Sequence, residues 1–275
     1  MEKKLKSQEC DGATDGITRR DILKGALVLG TSAAVGGVAL NLAQPKTAIA
    51  ATRIPNIKAC VFDSYGTLFD FNSAVAKNRE RVGEIADKVS ALWRTKQIDY
   101  TWLRSLMGKY KDFWTCTSDA LDYVFEVYGV TDMKLREDLL KAYLELSTFP
   151  EIPDTLKELK KRGFSVNILS NGTPHMLRSA VKSSGLEPIM DKIMSVDQIK
   201  IFKPDPRVYK IAVDTLKLEK HQIAFMSTNP WDAIGAAYFG FKVVWVNRSG
   251  AKRERLGIQP AAEIKTMAEL PDLLA

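Results

Sequence analysis

The sequence predicts an α/β protein: a doubly wound parallel sheet interrupted by an inserted helical subdomain. Three observations carry that expectation. A short apolar run, Ala59-Cys60-Val61-Phe62, ends in Asp63 and is broken by Gly66, the pattern of a buried strand entering a loop. From about residue 73 to 146 apolar residues recur at helical spacing, with no strand-like run among them. Beyond Pro153 short apolar runs alternate with helical stretches, which implies parallel strands with helices on both faces.

The first strand, at 59–62, is followed by an insert whose periodicity predicts helices at 75–93, 100–107, 120–128 and 135–146, four or five in all. A helix ending at 162 then leads into the alternating half, with strands at 165–169, 193–196, 223–226 and 243–246 and helices at 174–184, 206–216 and 231–239. The implied organisation is a leader at 1–50, a Rossmann-like core from 51–70 and 151–275, and a helical cap at 71–150. Open sheets of this kind bind ligands beyond the carboxyl ends of the strands, where the winding reverses. Asp63, Ser170, Lys203 and Asp232 all follow predicted strands, so four separate segments can converge there.

Composition narrows the function classes. With 275 residues, 45% hydrophobic and 27% charged, the chain is long enough for one full core and a small second unit. The net charge is +7, but residues 1–50 hold seven Lys or Arg against five Asp or Glu, leaving a modest +5 over the rest. No basic stripe with interleaved aromatics is present, which argues against nucleic acid and leaves a small anionic substrate open. The only histidines, His175 and His221, have no neighbouring ligands for zinc and read as surface residues. Cys10, Cys60 and Cys116 are isolated thiols and make no disulfide framework.

The leader reads Thr18-Arg19-Arg20-Asp21-Ile22-Leu23-Lys24, then an apolar stretch from 25 to 42, then Ala48-Ile49-Ala50. It resembles a twin-arginine export signal cleaved after Ala50, which implies the twin-arginine translocase as a partner and a periplasmic destination. A membrane anchor is the alternative, since about 18 apolar residues nearly span a bilayer. Gly25, Gly30, Gly36 and Gly37, with many Ala and Ser, make the stretch weakly hydrophobic for an anchor.

Four short motifs follow in order: Val61-Phe62-Asp63-Ser64-Tyr65-Gly66-Thr67-Leu68, Leu169-Ser170-Asn171-Gly172, Phe202-Lys203-Pro204, and Ser227-Thr228-Asn229-Pro230-Trp231-Asp232. Each alone is weak, and together they resemble the haloacid dehalogenase superfamily over residues 56–250. Most members are magnesium phosphatases that carry a second acid two residues after the nucleophile, to protonate a leaving alkoxide. Tyr65 stands at that position here, and Ser227 where another acid is common. A halide needs no proton to depart, so both changes suit dehalogenation without a cofactor or metal. The cap strings Leu92-Trp93-Arg94-Thr95-Lys96-Gln97, Tyr100-Thr101-Trp102-Leu103-Arg104 and Phe113-Trp114 resemble the cap of the L-2-haloacid dehalogenases, whose conserved arginine matches Arg94.

That resemblance implies hydrolysis of a small (S)-2-haloacid through an aspartyl ester on Asp63, with Lys203 keeping the carboxylate ionised and Arg94 receiving the halide. It places Ser170 on the substrate carboxylate, Asn171 beside Arg94, and Asp232 and Asn229 on the hydrolytic water. Thr67, Tyr209 and Ser227 match further polar site positions. Tyr65, Phe113 and Trp231 match an apolar wall, with core packing the alternative reading of all three. Thr95 departs from the glutamine common in those enzymes, which bears on halide and chain-length preference. A homodimer is implied as well. A phosphatase or phosphonatase of the same superfamily, and a non-catalytic carboxylate-binding protein, remain as alternative readings.

Overall fold

The computed structural model describes residues 53–275. The leader, its cleavage site and Cys10 lie outside them. No helix among the described residues is long and apolar enough to cross a membrane.

The chain enters through strand β1 (Ala59–Phe62), whose four residues are all buried. Two single-turn helices follow, α1 (Ser73–Ala76) and α2 (Arg79–Val82), and then the long α3 (Ala86–Leu106). The sequence pattern suggested one helix over 75–93 and another over 100–107. The first is interrupted twice, at Lys77 and Asn78 between α1 and α2 and again at Gly83, which takes φ +72°. Nothing between residues 93 and 100 breaks the backbone, so α3 runs on through both predicted segments. Helix α4 (Phe113–Tyr128) starts at Asp112, whose carboxylate accepts the Thr115 N–H at 2.7 Å, and ends at left-handed Gly129. Helix α5 (Met133–Leu144) starts in the same way at Asp132.

The alternating half contains α6 (Ile152–Lys161), β2 (Ser165–Ser170), α7 (Pro174–Ser183), β3 (Lys192–Ser195), α8 (Pro206–Leu216), β4 (Ile223–Ser227), α9 (Pro230–Phe239) and β5 (Lys242–Val246). Two further elements, β6 (Ala262–Ile264) and α10 (Leu270–Leu273), were not anticipated. All six strands pair in parallel in the order β3-β2-β1-β4-β5-β6. Right-handed crossovers, the rule for parallel strands, put α6 and α7 on one face and α8 and α9 on the other, and α8 packs on α9 while α6 packs on α10.

The winding reverses between β1 and β4, so the crevice beyond their carboxyl ends is where a ligand site is expected. The cap leaves and rejoins the core through a short paired ribbon. Phe69 bridges Thr148 in antiparallel fashion, the Asp70 N–H donates to the Ser147 carbonyl at 2.8 Å, and the Phe149 N–H donates to the Leu68 carbonyl at 3.3 Å.

Candidate active site

Beyond Phe62 the backbone makes one more sheet bond, from the Asp63 N–H to the Met226 carbonyl at 2.9 Å, and then turns. The Ser64 carbonyl accepts the N–H groups of Leu68 and Phe69 at 2.9 and 3.0 Å, and Gly66 takes φ +89° to permit the turn. Asp63 is thereby held at the crevice, only 6% exposed.

Both of its oxygens are engaged. Oδ1 accepts from Lys203 Nζ at 3.0 Å, while Oδ2 accepts from Asn229 Nδ2 at 2.8 Å and from the Thr67 hydroxyl at 3.2 Å. Thr67 Oγ1 in turn accepts the Thr228 N–H at 2.9 Å, tying the turn to the end of β4. Lys203 is fully buried and donates a second bond to Asp232 Oδ2 at 2.9 Å, and the Tyr209 hydroxyl donates to Asp232 Oδ1 at 2.8 Å. Burial opposes the charge on Lys203, but the carboxylates of Asp232 and Asp63 outweigh it and hold its pKa above the ordinary lysine value. Burial pushes Asp232 the other way, up to about 6, with Asp63 adding to the rise and Lys203 opposing it.

The cap supplies Arg94 from α3. Its guanidinium donates to the Tyr65 carbonyl at 3.3 Å, to Asn229 Oδ1 at 3.2 Å and to Gln97 Oε1 at 2.9 Å, and it lies 5.0 Å from the centre of the Phe71 ring. Asn229 therefore spans the gap between nucleophile and arginine, its amide nitrogen on Asp63 and its oxygen on Arg94. Tyr65 packs against Phe113 at 5.3 Å and Tyr143 at 5.5 Å between ring centres.

Asp63, Thr67, Arg94, Lys203, Asn229 and Asp232 thus form one connected network, with Tyr209 behind Asp232. Four residues stand differently from the sequence expectation. Asn171 does not meet Arg94 through a hydrogen bond; its Oδ1 accepts the Lys203 N–H at 3.0 Å and so fixes the lysine's backbone. Thr95 is exposed and its hydroxyl donates to the Ala91 carbonyl of its own helix at 2.9 Å. Trp231 packs edge-on against Trp102 at 5.3 Å and lines a cavity of about 760 Å³ with Pro204, Gly235 and Tyr238, which contains none of the residues bonded to Asp63. Tyr209 is wholly buried behind Asp232 and reaches the network only through that carboxylate.

Ser170 and Ser227 are fully buried at strand ends; their hydroxyls accept the N–H groups of Gly172 at 3.1 Å and Asn229 at 3.2 Å. A cavity of about 630 Å³ on the seam between cap and core is lined by Trp102, Ser105, Phe202 and Lys203. Gln97, Tyr143 and Phe71 also belong to the site and were not singled out from the sequence. Gln97 stands three residues after Arg94, the spacing of helical neighbours, which is the one signal that pointed to it.

Comparison with known proteins agrees with this geometry. A family model described as haloacid dehalogenase-like hydrolase matches residues 57–240. (S)-2-haloacid dehalogenase 1 of Pseudomonas sp. (strain CBS-3) is 46% identical over 221 residues, covering 79% of this chain and 96% of that protein. (S)-2-haloacid dehalogenase 4A of Burkholderia cepacia is 43% identical over 223 residues, covering 81% and 96%. The structure of L-2-haloacid dehalogenase from Xanthobacter autotrophicus with chloropropionic acid covalently bound is similar with a TM-score of 0.74 at 34% identity, covering 79% of this chain and 98% of that one.

Proposed function

This chain belongs to the haloacid dehalogenase-like hydrolases, and from that premise we infer that it hydrolyses small (S)-2-haloacids to (R)-2-hydroxy acids and halide. The observation that carries the reading is the pairing of a buried, multiply bonded carboxylate, Asp63, with a cap arginine one amide away.

The chemistry follows from the bonding. Asp63 attacks C2 from the side opposite the halogen, the carbon–halogen bond breaks with its electron pair leaving on the halide, and an aspartyl ester forms. The Lys203 ammonium donates to Asp63 and offsets the cost of burying the carboxylate. Arg94 offers N–H donors where negative charge grows on the departing halide. The substrate carboxylate is assigned to the end of β2 at Ser170, and the ring of Tyr65 with Phe113 excludes water from the alkyl side.

Water then attacks the carboxyl carbon of the ester. Asp232, with its raised pKa, is the carboxylate suited to accept the proton, and Asn229 orients the ester oxygen. Because C2 undergoes a single backside displacement and hydrolysis at the carboxyl carbon leaves it untouched, the product has inverted configuration. A phosphatase reading would ask for an acid at position 65, where this chain has Tyr65.

The reading extends to export through the twin-arginine route, supported by Arg19-Arg20 and the small-residue Ala48-Ile49-Ala50, and to a homodimer. The enzymatic core of the proposal is tested by one turnover with enzyme in excess over L-2-chloropropionate in heavy-oxygen water. The label is expected in the peptide containing Asp63, with chloride released. Label in the hydroxy acid instead would make Asp63 a general base and refute the covalent route, and absence of chloride would refute dehalogenation.

A further inference from the structure

Arg94 is held by three acceptors, Gln97 Oε1, the Tyr65 carbonyl and Asn229 Oδ1, and none of them carries a charge. A partly buried arginine beside carboxylates ordinarily pairs with one of them. Here the Asn229 amide stands between it and Asp63. Gln97 is the acceptor that the cap itself provides.

We infer that Gln97 is a positioning residue for carbon–halogen cleavage: it aims the Arg94 guanidinium at the departing halide while leaving the positive charge uncompensated. The inference rests on the dehalogenase reading above and assigns a role to a residue outside the network around Asp63.

The geometry makes Gln97 a fixed part. It is 1% exposed, and its Nε2 donates to Thr117 Oγ1 at 2.7 Å. The Thr117 hydroxyl has a single proton, which goes to the Phe113 carbonyl at 2.7 Å, so its oxygen can only accept from Gln97. That sets the amide's orientation and turns Oε1 toward Arg94. The Tyr143 hydroxyl donates to the same Oε1 at 3.1 Å, and Trp93 Nε1 anchors α4 through the Thr117 carbonyl at 2.8 Å. Three cap helices therefore meet at one amide group, α4 at its nitrogen and α5 at its oxygen, and α3 supplies both the amide and the guanidinium bonded to it.

Neutrality matters as much as aim. A glutamate of the same length would grip Arg94 more strongly, but as an ion pair, and the charge that the halide must meet would already be spent on it. An amide orients the donors without that cancellation, so the field at the leaving group is set before the reaction begins.

The test compares kcat/KM for L-2-chloropropionate and L-2-bromopropionate in the wild-type protein, Gln97→Leu, Gln97→Glu and Tyr143→Phe. This ratio covers binding and halide displacement but not ester hydrolysis, because it ends at the first irreversible step, and comparing the two halides isolates the displacement. Gln97→Leu is expected to lose about tenfold to a hundredfold with chloride, since a misplacement of about 1 Å can cost about 10²-fold, and distinctly less with bromide, the better leaving group. Gln97→Glu is expected to show the same bias toward bromide although Arg94 stays gripped. Tyr143→Phe, which keeps its ring, is expected to show a weaker bias and decides the matter if Gln97→Leu does not fold. Equal losses on both substrates, or wild-type rates in Gln97→Glu, would overturn the inference. No halide release by the wild-type protein would instead sink the dehalogenase reading itself.

Discussion

Asp232 accepts only from donors, the Lys203 ammonium on one oxygen and the Tyr209 hydroxyl on the other, so the surrounding bonds are built for its ionised form. Burial and the nearby Asp63 nevertheless raise its pKa to about 6. The two facts give a signed pH dependence. As pH falls through about 6, Asp232 takes up a proton and loses one of its donors and its capacity as a base. Its effect on stability runs in the opposite sense: a carboxyl whose folded pKa is raised stabilises the fold while neutral, and that contribution is lost as pH rises through about 6. A kcat/KM profile is expected to show an acid limb near pH 6 that disappears in Asp232→Asn, together with most of the rate. A wild-type profile flat well below that value would contradict the assignment. At this scale the sequence exposed the residues with unusual chemistry for their place, such as Asp63 and Lys203, but not which groups the amides touch. Asn171 and Gln97 are both ordinary amides in a string, and only the fold shows that one fixes the Lys203 backbone and the other holds Arg94.

The ribbon that joins cap to core is clamped by one side chain from the end of β5. Arg248 ion-pairs with Glu151 at the foot of α6, donates to the Thr67 carbonyl at 3.3 Å and lies 3.9 Å from the centre of the Phe149 ring. Burial alone would raise the Glu151 pKa, but Arg248 outweighs it and holds it below the usual range. Arg248→Met leaves the Thr67 carbonyl without this donor and the half-buried Glu151 carboxylate with only the Met267 N–H, and is expected to lower unfolding free energy by about 1–3 kcal/mol. The urea midpoint should fall with its slope unchanged, and an unshifted midpoint would make Arg248 a surface charge. The alternating half was legible because its strands are pure apolar runs and its helices begin at prolines such as Pro174 and Pro206. The cap was less so: apolar periodicity marks a helix but not its ends, and neither the break at Gly83 nor the continuity from Trp93 to Tyr100 changes that periodicity. Strand β6 is three residues long with one buried, too short to stand out from a loop.

For the whole molecule, the export proposal gives a test independent of catalysis. Arg19→Lys combined with Arg20→Lys is expected to leave active, folded enzyme in the cytoplasm, while the unaltered chain is recovered outside it, beginning at Ala51. Mass spectrometry of the exported species with residues 1–50 still attached would favour a membrane anchor. The sheet register adds a consequence that concerns time. Strand β1 pairs Ala59 with Ser165 on one side and with Ile223 on the other. Loop-closure entropy delays such distant pairings, and on a ribosome they cannot occur before the partners exist. The members of the network around Asp63 appear in chain order, Thr67 almost at once, Arg94 soon after, then Lys203, Asn229 and Asp232. At about 5–20 residues per second, roughly 10–30 s separate synthesis of the nucleophile from synthesis of the last carboxylate. Throughout that interval β1 is an apolar strand with an open edge and Asp63 is an ordinary solvated aspartate. The nascent chain is most prone to aggregate then, and it acquires no reactive carboxylate until nearly all of it has been made.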